Sequence, residues 1–445
     1  MKKYVVAIFL SVSSLAVGQL RMAFAQNEPA QPDLPDFGLA YVLATASYCA
    51  YAVGEVDADH GQQRAVQCLQ AAAGKDRDHL DVLDVTQDDV EAYFNPASPE
   101  DAYLLIKERN GVILAFRGTL TPPISPSAGR FPAAAADAIA KYKEREAMLL
   151  KTFAGDWLNN FKVKPDAHNR HSGFEAAWTG LQTHLMAQDC APKAAATSGD
   201  CSKFLSSVGG LHDAALPRLY VTGHSKGGAL ATLAALDLPN LVGADIKLVV
   251  YTFAGAKALT TDGSKQSAAT INGMWRFEHE SDIVPSVPPD STVLLWKGPT
   301  YAHLGRQAFF AKGRAPHFSP GPVQGVDPPG DEERLKGSAG NLFSSALKSL
   351  PLLGLGDFFK SVLDLGEINC KAVVDNHFLV FADVQEAAHV AHGDAHAPIT
   401  TTEENVNQSF FATGLSDKNG EILWGFSQWC SLLRGPDFGR ERSTK

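Results

Sequence analysis

Arg218-Leu-Tyr-Val-Thr-Gly-His-Ser-Lys-Gly-Gly-Ala-Leu-Ala-Thr-Leu233 is the stretch on which the reading of this chain turns. It opens as an apolar, β-branched run suited to a buried strand and closes as an Ala/Leu-rich run suited to a helix. Between them Gly223-His224-Ser225-Lys226-Gly227 has the form G-x-S-x-G, in the strand–turn–helix context that this pattern requires. Gly223 and Gly227 make room for a tight turn and for close packing of helix on strand. The turn lifts the Ser225 hydroxyl clear of the sheet, and the helix N-terminus behind it favours negative charge developing nearby. Ser225 is the candidate nucleophile. A free hydroxyl is a poor one, so a base must take its proton and a third group must orient that base.

Outward from the elbow, residues 247–253 read as a second buried strand and 275–278 as a shorter third, with helical stretches between them. Strand alternating with helix implies an α/β fold with a mostly parallel sheet. Upstream, the apolar runs 102–106 and 112–116 flank Asn110-Gly111, a dipeptide suited to a tight hairpin turn, so these two runs are expected to pair antiparallel. Residues 37–53 read as a helix. Residues 120–155 interrupt the pattern, first Pro-, Ser- and Gly-rich, then Ala-rich and helical over 132–153, with Ile139, Tyr142 and Leu149 roughly on one side. Residues 313–340 read as loop, 341–365 are amphipathic or wholly apolar, and no internal repeat is visible.

Composition sets the class. The chain has 445 residues, 45% hydrophobic and 20% charged, which is ordinary for a globular protein. A formal charge of −10 without a long basic run argues against nucleic acid as a partner. Lys2 and Lys3, the apolar stretch 4–18 and Ala23-Phe24-Ala25 read as a signal peptide cleaved after Ala25. An N-terminal membrane anchor is the alternative, and the apolar stretch is short for one. Export gives the six cysteines a meaning as disulfides. Sequence proximity favours Cys49–Cys68, Cys190–Cys201 and Cys370–Cys430. No C-x-x-C pair suggests a zinc site.

The acid and base should follow the serine in that order. Asp282 lies just past the third strand, and Pro285, Pro288 and Pro289 stiffen the loop after it. Glu278, Glu280 and Asp290 are its rivals. For the base, His303 and His377 are both serious candidates, and spacing does not separate them. His389, His392 and His396 form a loose cluster whose spacing defines no metal site, and they read as surface or linker.

At this point the chain resembles the class 3 lipases, the family of the filamentous-fungal triacylglycerol lipases. The resemblance is carried by Phe116-Arg117-Gly118-Thr119, Asp156-Trp157-Leu158, His171-Ser172-Gly173-Phe174, the elbow, Tyr251-Thr252-Phe253, and Arg276 with Asp282-Ile283-Val284-Pro285, in that order. It covers roughly residues 37–385 and implies the α/β-hydrolase fold, a mostly parallel central sheet flanked by helices with a lid-like helical insertion. It also implies that His377 is the base and His303 a structural residue. The resemblance places an oxyanion hole on the backbone N–H groups of Thr119 and Lys226, and a lid in the slot filled by 120–155. Two departures stand out. Lys226 replaces an apolar residue and opposes the helix dipole, so an acid nearby is expected to compensate. Ala254-Gly255-Ala256 stands where the family has a glycine–small–proline run.

The expected organisation is a signal peptide over 1–25, a tether over 26–36, a hydrolase domain over 37–400 with insertions at 120–155 and 304–365, and a C-terminal extension over 401–445 packed on the domain. The expected activity is that of a secreted or periplasmic serine carboxylic-ester hydrolase acting on lipid or ester substrates, with no metal or organic cofactor. No transmembrane segment is expected in the mature chain. Phospholipase A1 or acyltransferase action through the same triad is the alternative, and a non-catalytic lipid-binding protein that kept the fold is the other.

Overall fold

A computed structural model describes residues 34–53, 58–95, 98–108, 111–119, 165–187, 203–213, 218–243, 246–268, 271–288 with short gaps, 299–311, 316–319, 370–392 and a few positions up to Trp424. The expected signal peptide, the 120–155 insertion, the 156–158 block, the 341–365 stretch and cysteines 190, 201 and 430 lie outside the described residues. The chain divides into two units, Met1–Pro35 and Asp36–Lys445. The fold is that of the second.

Its frame is an eight-stranded sheet whose spatial order follows the chain. The strands are β1 (Val90–Asn95), β2 (Ser98–Glu108), β3 (Gly111–Phe116), β4 (Arg218–His224), β5 (Lys247–Phe253), β6 (Met274–His279), β7 (Arg306–Phe310) and β8 (His317–Ser319). β3 to β7 run parallel, β1–β2–β3 form an antiparallel meander, and β8 returns antiparallel to β7. This is the α/β-hydrolase architecture. The hairpin expected around Asn110-Gly111 is the β2–β3 pair, closing at Glu108 opposite Gly111. The sequence expectation placed residues 304–365 in an insertion and 313–340 in a loop. β7 and β8 lie inside those ranges, so the sheet extends two strands further than the sequence shows.

Helices cover both faces, so the central strands are buried on both sides; β3 is buried at every position. The helices include α1 (Phe37–Cys49), α2 (Ala58–Lys75), α3 (Arg77–Leu80), α4 (Ser172–Leu185), α5 (Lys226–Val242) and α6 (Cys370–Ala391). Strand alternation sorts the core into two layers. Leu104, Ile106, Phe253 and Phe277 face α1, α2 and α6. Tyr103, Leu105, Leu114 and Val221 face α4 and α5. α1 is sandwiched so completely that its buried positions run without a break from Ala40 to Cys49. Asp36 caps its N-terminus, its carboxylate accepting from Leu39 N–H at 2.9 Å.

The expected Cys49–Cys68 disulfide is present and ties α1 to α2 across a sequence separation of 19. Closing a loop of that size contributes on the order of 3 kcal/mol through the unfolded state. Of the C-terminal extension, Phe411 is fully buried and stacks on Phe381 of α6 at 5.1 Å. Among the described residues, no helix is long and apolar enough to cross a membrane.

Candidate functional site

The elbow joins β4 to α5. Ser225 caps α5 with φ 59° and ψ −128°. A non-glycine residue there carries about 1–3 kcal/mol of backbone strain, tolerated only where the surroundings hold it. They do: Ser225 N–H donates to the Phe253 carbonyl at 3.0 Å, and the Ser225 carbonyl accepts from Gly228 N–H at 3.0 Å. Both flanking glycines are demanded by close approach. A Cβ at Gly223 would strike the Gly227 carbonyl, and one at Gly227 would strike the Phe116 carbonyl. The elbow is thereby pressed against the end of β3, the strand that leads into Gly118-Thr119. Thr119 and Lys226, whose N–H groups the resemblance assigns to an oxyanion hole, are both buried.

Lys226 has the acid that its position calls for. Its Nζ lies 2.7 Å from Asp101 Oδ1 on β2, and the two side chains are 4% and 5% exposed. The other Asp101 oxygen accepts from Ser98 Oγ at 2.7 Å. A cation at the start of a helix opposes the dipole, and the buried carboxylate offsets it. Nothing in the sequence singles out Asp101, an acidic residue at the edge of an apolar run.

Asp282 and His377 meet. His377 Nδ1–H donates to Asp282 Oδ2 at 2.9 Å, and Val284 N–H donates to Oδ1 at 3.0 Å. Asp282 is 1% exposed. Burial pushes its carboxyl above the usual carboxylate range, while the charge and N–H of His377 pull the other way. With Nδ1 carrying the proton, Nε2 of His377 offers a lone pair; it is buried and makes no hydrogen bond among the described residues. His377 sits in the N-terminal half of α6.

His224 links the elbow to that helix. Its ring lies 4.3 Å from that of His377, tilted by 40°, and its Nε2–H donates to the His377 carbonyl at 2.9 Å. Its Nδ1 therefore accepts from the Tyr51 hydroxyl at 2.8 Å. Full burial, then the neighbouring His377, hold its pKa well below the ordinary histidine value, so the ring is neutral. Sequence reading gave His224 only as an elbow residue and missed Tyr51, which has no motif to mark it.

His303 lies elsewhere. Its Nε2–H donates to the Pro285 carbonyl at 2.6 Å, on the loop that follows Asp282. Burial, then the charge of Arg276, lower its pKa to about 3. Glu278, a rival for the acid, is engaged by Arg276 and by Gln307 Nε2–H at 2.7 Å. Asp290 lies outside the described residues. His171, of the H-x-G-F block, is buried at the N-terminus of α4, where its Nδ1 accepts from Phe174 N–H at 3.4 Å. Of the loose histidine cluster, His389 is no bare surface residue, because its Nε2 lies 2.6 Å from Asp76 Oδ2. His396 lies outside the described residues.

Residues 146–292 match the model of the lipase (class 3) family. The resemblance read from the sequence thus holds over that span. No curated protein matches it. Among solved structures it is similar to lipase II from Rhizopus niveus, at 17% identity over 62% of this chain and 82% of that one, with a TM-score of 0.35. The triacylglyceride lipase of Rhizomucor miehei is similar at 17% identity over 61% and 78%, with a TM-score of 0.36. A mutant form of a Penicillium cyclopium protein is similar at 16% identity over 69% and 92%, with a TM-score of 0.40.

Proposed function

From the likeness to class 3 lipases, we propose that this chain is an exported serine carboxylic-ester hydrolase that cleaves acyl esters of lipids through Ser225, His377 and Asp282. The observation that carries the reading is the strained Ser225 turn, joined through His224 to a histidine that is paired with a buried aspartate. His377 Nε2 takes the Ser225 proton as Oγ attacks the ester carbonyl. The backbone N–H groups of Thr119 and Lys226 hold the oxyanion; one such donor is typically worth about 2.7–4 kcal/mol. The imidazolium, stabilised by Asp282, then protonates the departing alkoxide. Water, deprotonated by His377, attacks the acyl-enzyme, and Ser225 leaves with the proton. Contacts between base and nucleophile commonly tighten only when substrate binds, which suits a His377 Nε2 that makes no hydrogen bond among the described residues. Export rests on the signal-like N-terminus and agrees with the Cys49–Cys68 disulfide.

Hydrolysis of p-nitrophenyl esters, triglyceride emulsions and phospholipid vesicles tests this reading. Ser225→Ala and His377→Ala should each lower turnover on the order of 10⁶-fold, whereas His303→Ala should keep activity. Equal loss on His303→Ala and none on His377→Ala would overturn the assignment of the base. Free fatty acid from phospholipid alone would point to phospholipase A1 action, acyl transfer to an added alcohol to a transferase, and no turnover of any ester to a binding protein.

A further inference from the structure

We propose that Asp76, His79 and His389, with His392 as a fourth ligand, form a structural zinc site that fastens the C-terminal end of α6 to the junction of α2 and α3. Asp76 occupies the break between those two helices, and His79 follows one turn later. His79 Nδ1 lies 2.9 Å from Asp76 Oδ1, and His389 Nε2 lies 2.6 Å from Asp76 Oδ2. The donor atoms of the three residues all fall within 4.8 Å of one another. His392 stands one turn beyond His389, and its ring centroid is 5.0 Å from that of His79. The His79 and His389 rings are 4.6 Å apart.

Two pairs spaced i, i+3 thus face each other across a helix contact, one Asp-x-x-His and one His-x-x-His. A carboxylate can accept two ring N–H groups without a metal. That arrangement explains Asp76, His79 and His389, but it gives His392 no part. Three imidazoles beside one carboxylate are a borderline nitrogen and oxygen donor set, the kind that suits Zn²⁺ in four-coordinate geometry. Ligand atoms on a tetrahedral zinc stand about 3.3 Å apart at the usual bond lengths of about 2.0–2.1 Å. The two Asp76–histidine separations would need to widen by roughly half an ångström, and His392, which stands outside the three-residue group, would have to turn its ring inward. Side-chain exposures of 6% for His79, 15% for Asp76 and 35% for His389 leave a way in for the ion.

The site lies apart from the ester chemistry and does not depend on it, yet it acts on the same helix. α6 presents His377 near one end and His389 near the other, so zinc would anchor the helix that carries the candidate base. The test uses the full chain, stripped with a chelator, titrated with ZnCl₂ by calorimetry and melted with and without the ion. One zinc per chain and a higher melting temperature are expected. Affinity should fall about 100-fold or more in His389→Gln and measurably in His392→Gln, whose exposed side chain leaves packing intact; both should keep the wild-type circular dichroism spectrum. Ser225→Ala should bind zinc as the wild type does. Loss in His389→Gln alone, with the spectrum unaltered, supports the same site with water in the fourth position. Absence of stoichiometric zinc, or affinity unchanged in both variants, overturns the proposal.

Discussion

Replacing Asp101 by asparagine should remove much of what stabilises this protein while barely touching its chemistry. Lys226 Nζ and Asp101 Oδ1 are 2.7 Å apart, with side chains 4% and 5% exposed, so neither group has water to fall back on. Removing one partner leaves a buried charge uncompensated, which costs about 3–5 kcal/mol. Against a typical total of about 5–15 kcal/mol, that is a large share. Replacing both partners by apolar residues, as in Asp101→Leu with Lys226→Met, removes the attraction and the desolvation penalty together. The double variant should lie within about 1–2 kcal/mol of the wild type, or above it. Urea unfolding of the wild type, Asp101→Leu, Lys226→Met and the double variant gives the coupling directly. The same samples, assayed on a soluble p-nitrophenyl ester, should show the double variant within a few-fold of wild-type kcat/KM, because Lys226 is assigned a main-chain role. The reasoning fails if the double variant is destabilised by the sum of the two single changes, or if Lys226→Met abolishes turnover in a folded protein.

His224→Phe keeps the ring contacts with Phe378 and Phe381 but takes a hydrogen-bond partner from the Tyr51 hydroxyl and from the His377 carbonyl, so stability should drop by about 2–4 kcal/mol and kcat should fall more than KM changes. Acid should weaken the fold through His303. Its folded pKa of about 3 lies below the unfolded value of about 6.5, so the stability present above 6.5 is lost as pH falls towards 3. The unfolding free energy of the wild type relative to His303→Asn should therefore shrink by about 1 kcal/mol between about pH 6 and pH 5; a difference independent of pH would refute the buried neutral ring. Cys68→Ser should lower stability by about 2–4 kcal/mol and leave a reductant without further effect on that link.

The sequence reveals the middle of the sheet because β4, β5 and β6 are apolar runs buried on both faces, and because the elbow sits between two of them. It hides the edges. β1 carries Glu91, a carboxylate that looks solvent-facing but is 8% exposed and bonded to the Tyr103 hydroxyl. β7 and β8 are short and sit beside a Pro- and Gly-rich stretch, so they read as part of an insertion. At the site, Ser225 and Asp282 can be placed from local context, because each lies just past an apolar strand. His377 lies 95 residues beyond Asp282, and spacing alone leaves it level with His303 until the pairing is seen in three dimensions. Asp101, Tyr51 and Asp76 follow the same rule. Each acts on a residue far along the chain, 313 positions away for Asp76 and His389, and no periodicity encodes such a contact.

Mass spectrometry after treatment with a fluorophosphonate probe bears most directly on the central claim, that Ser225 is an activated nucleophile. The probe should modify the peptide containing Ser225 in the wild type, modify nothing in Ser225→Ala, and react far more slowly with His377→Ala. A modified serine elsewhere, or equal labelling of wild type and Ser225→Ala, would contradict the account.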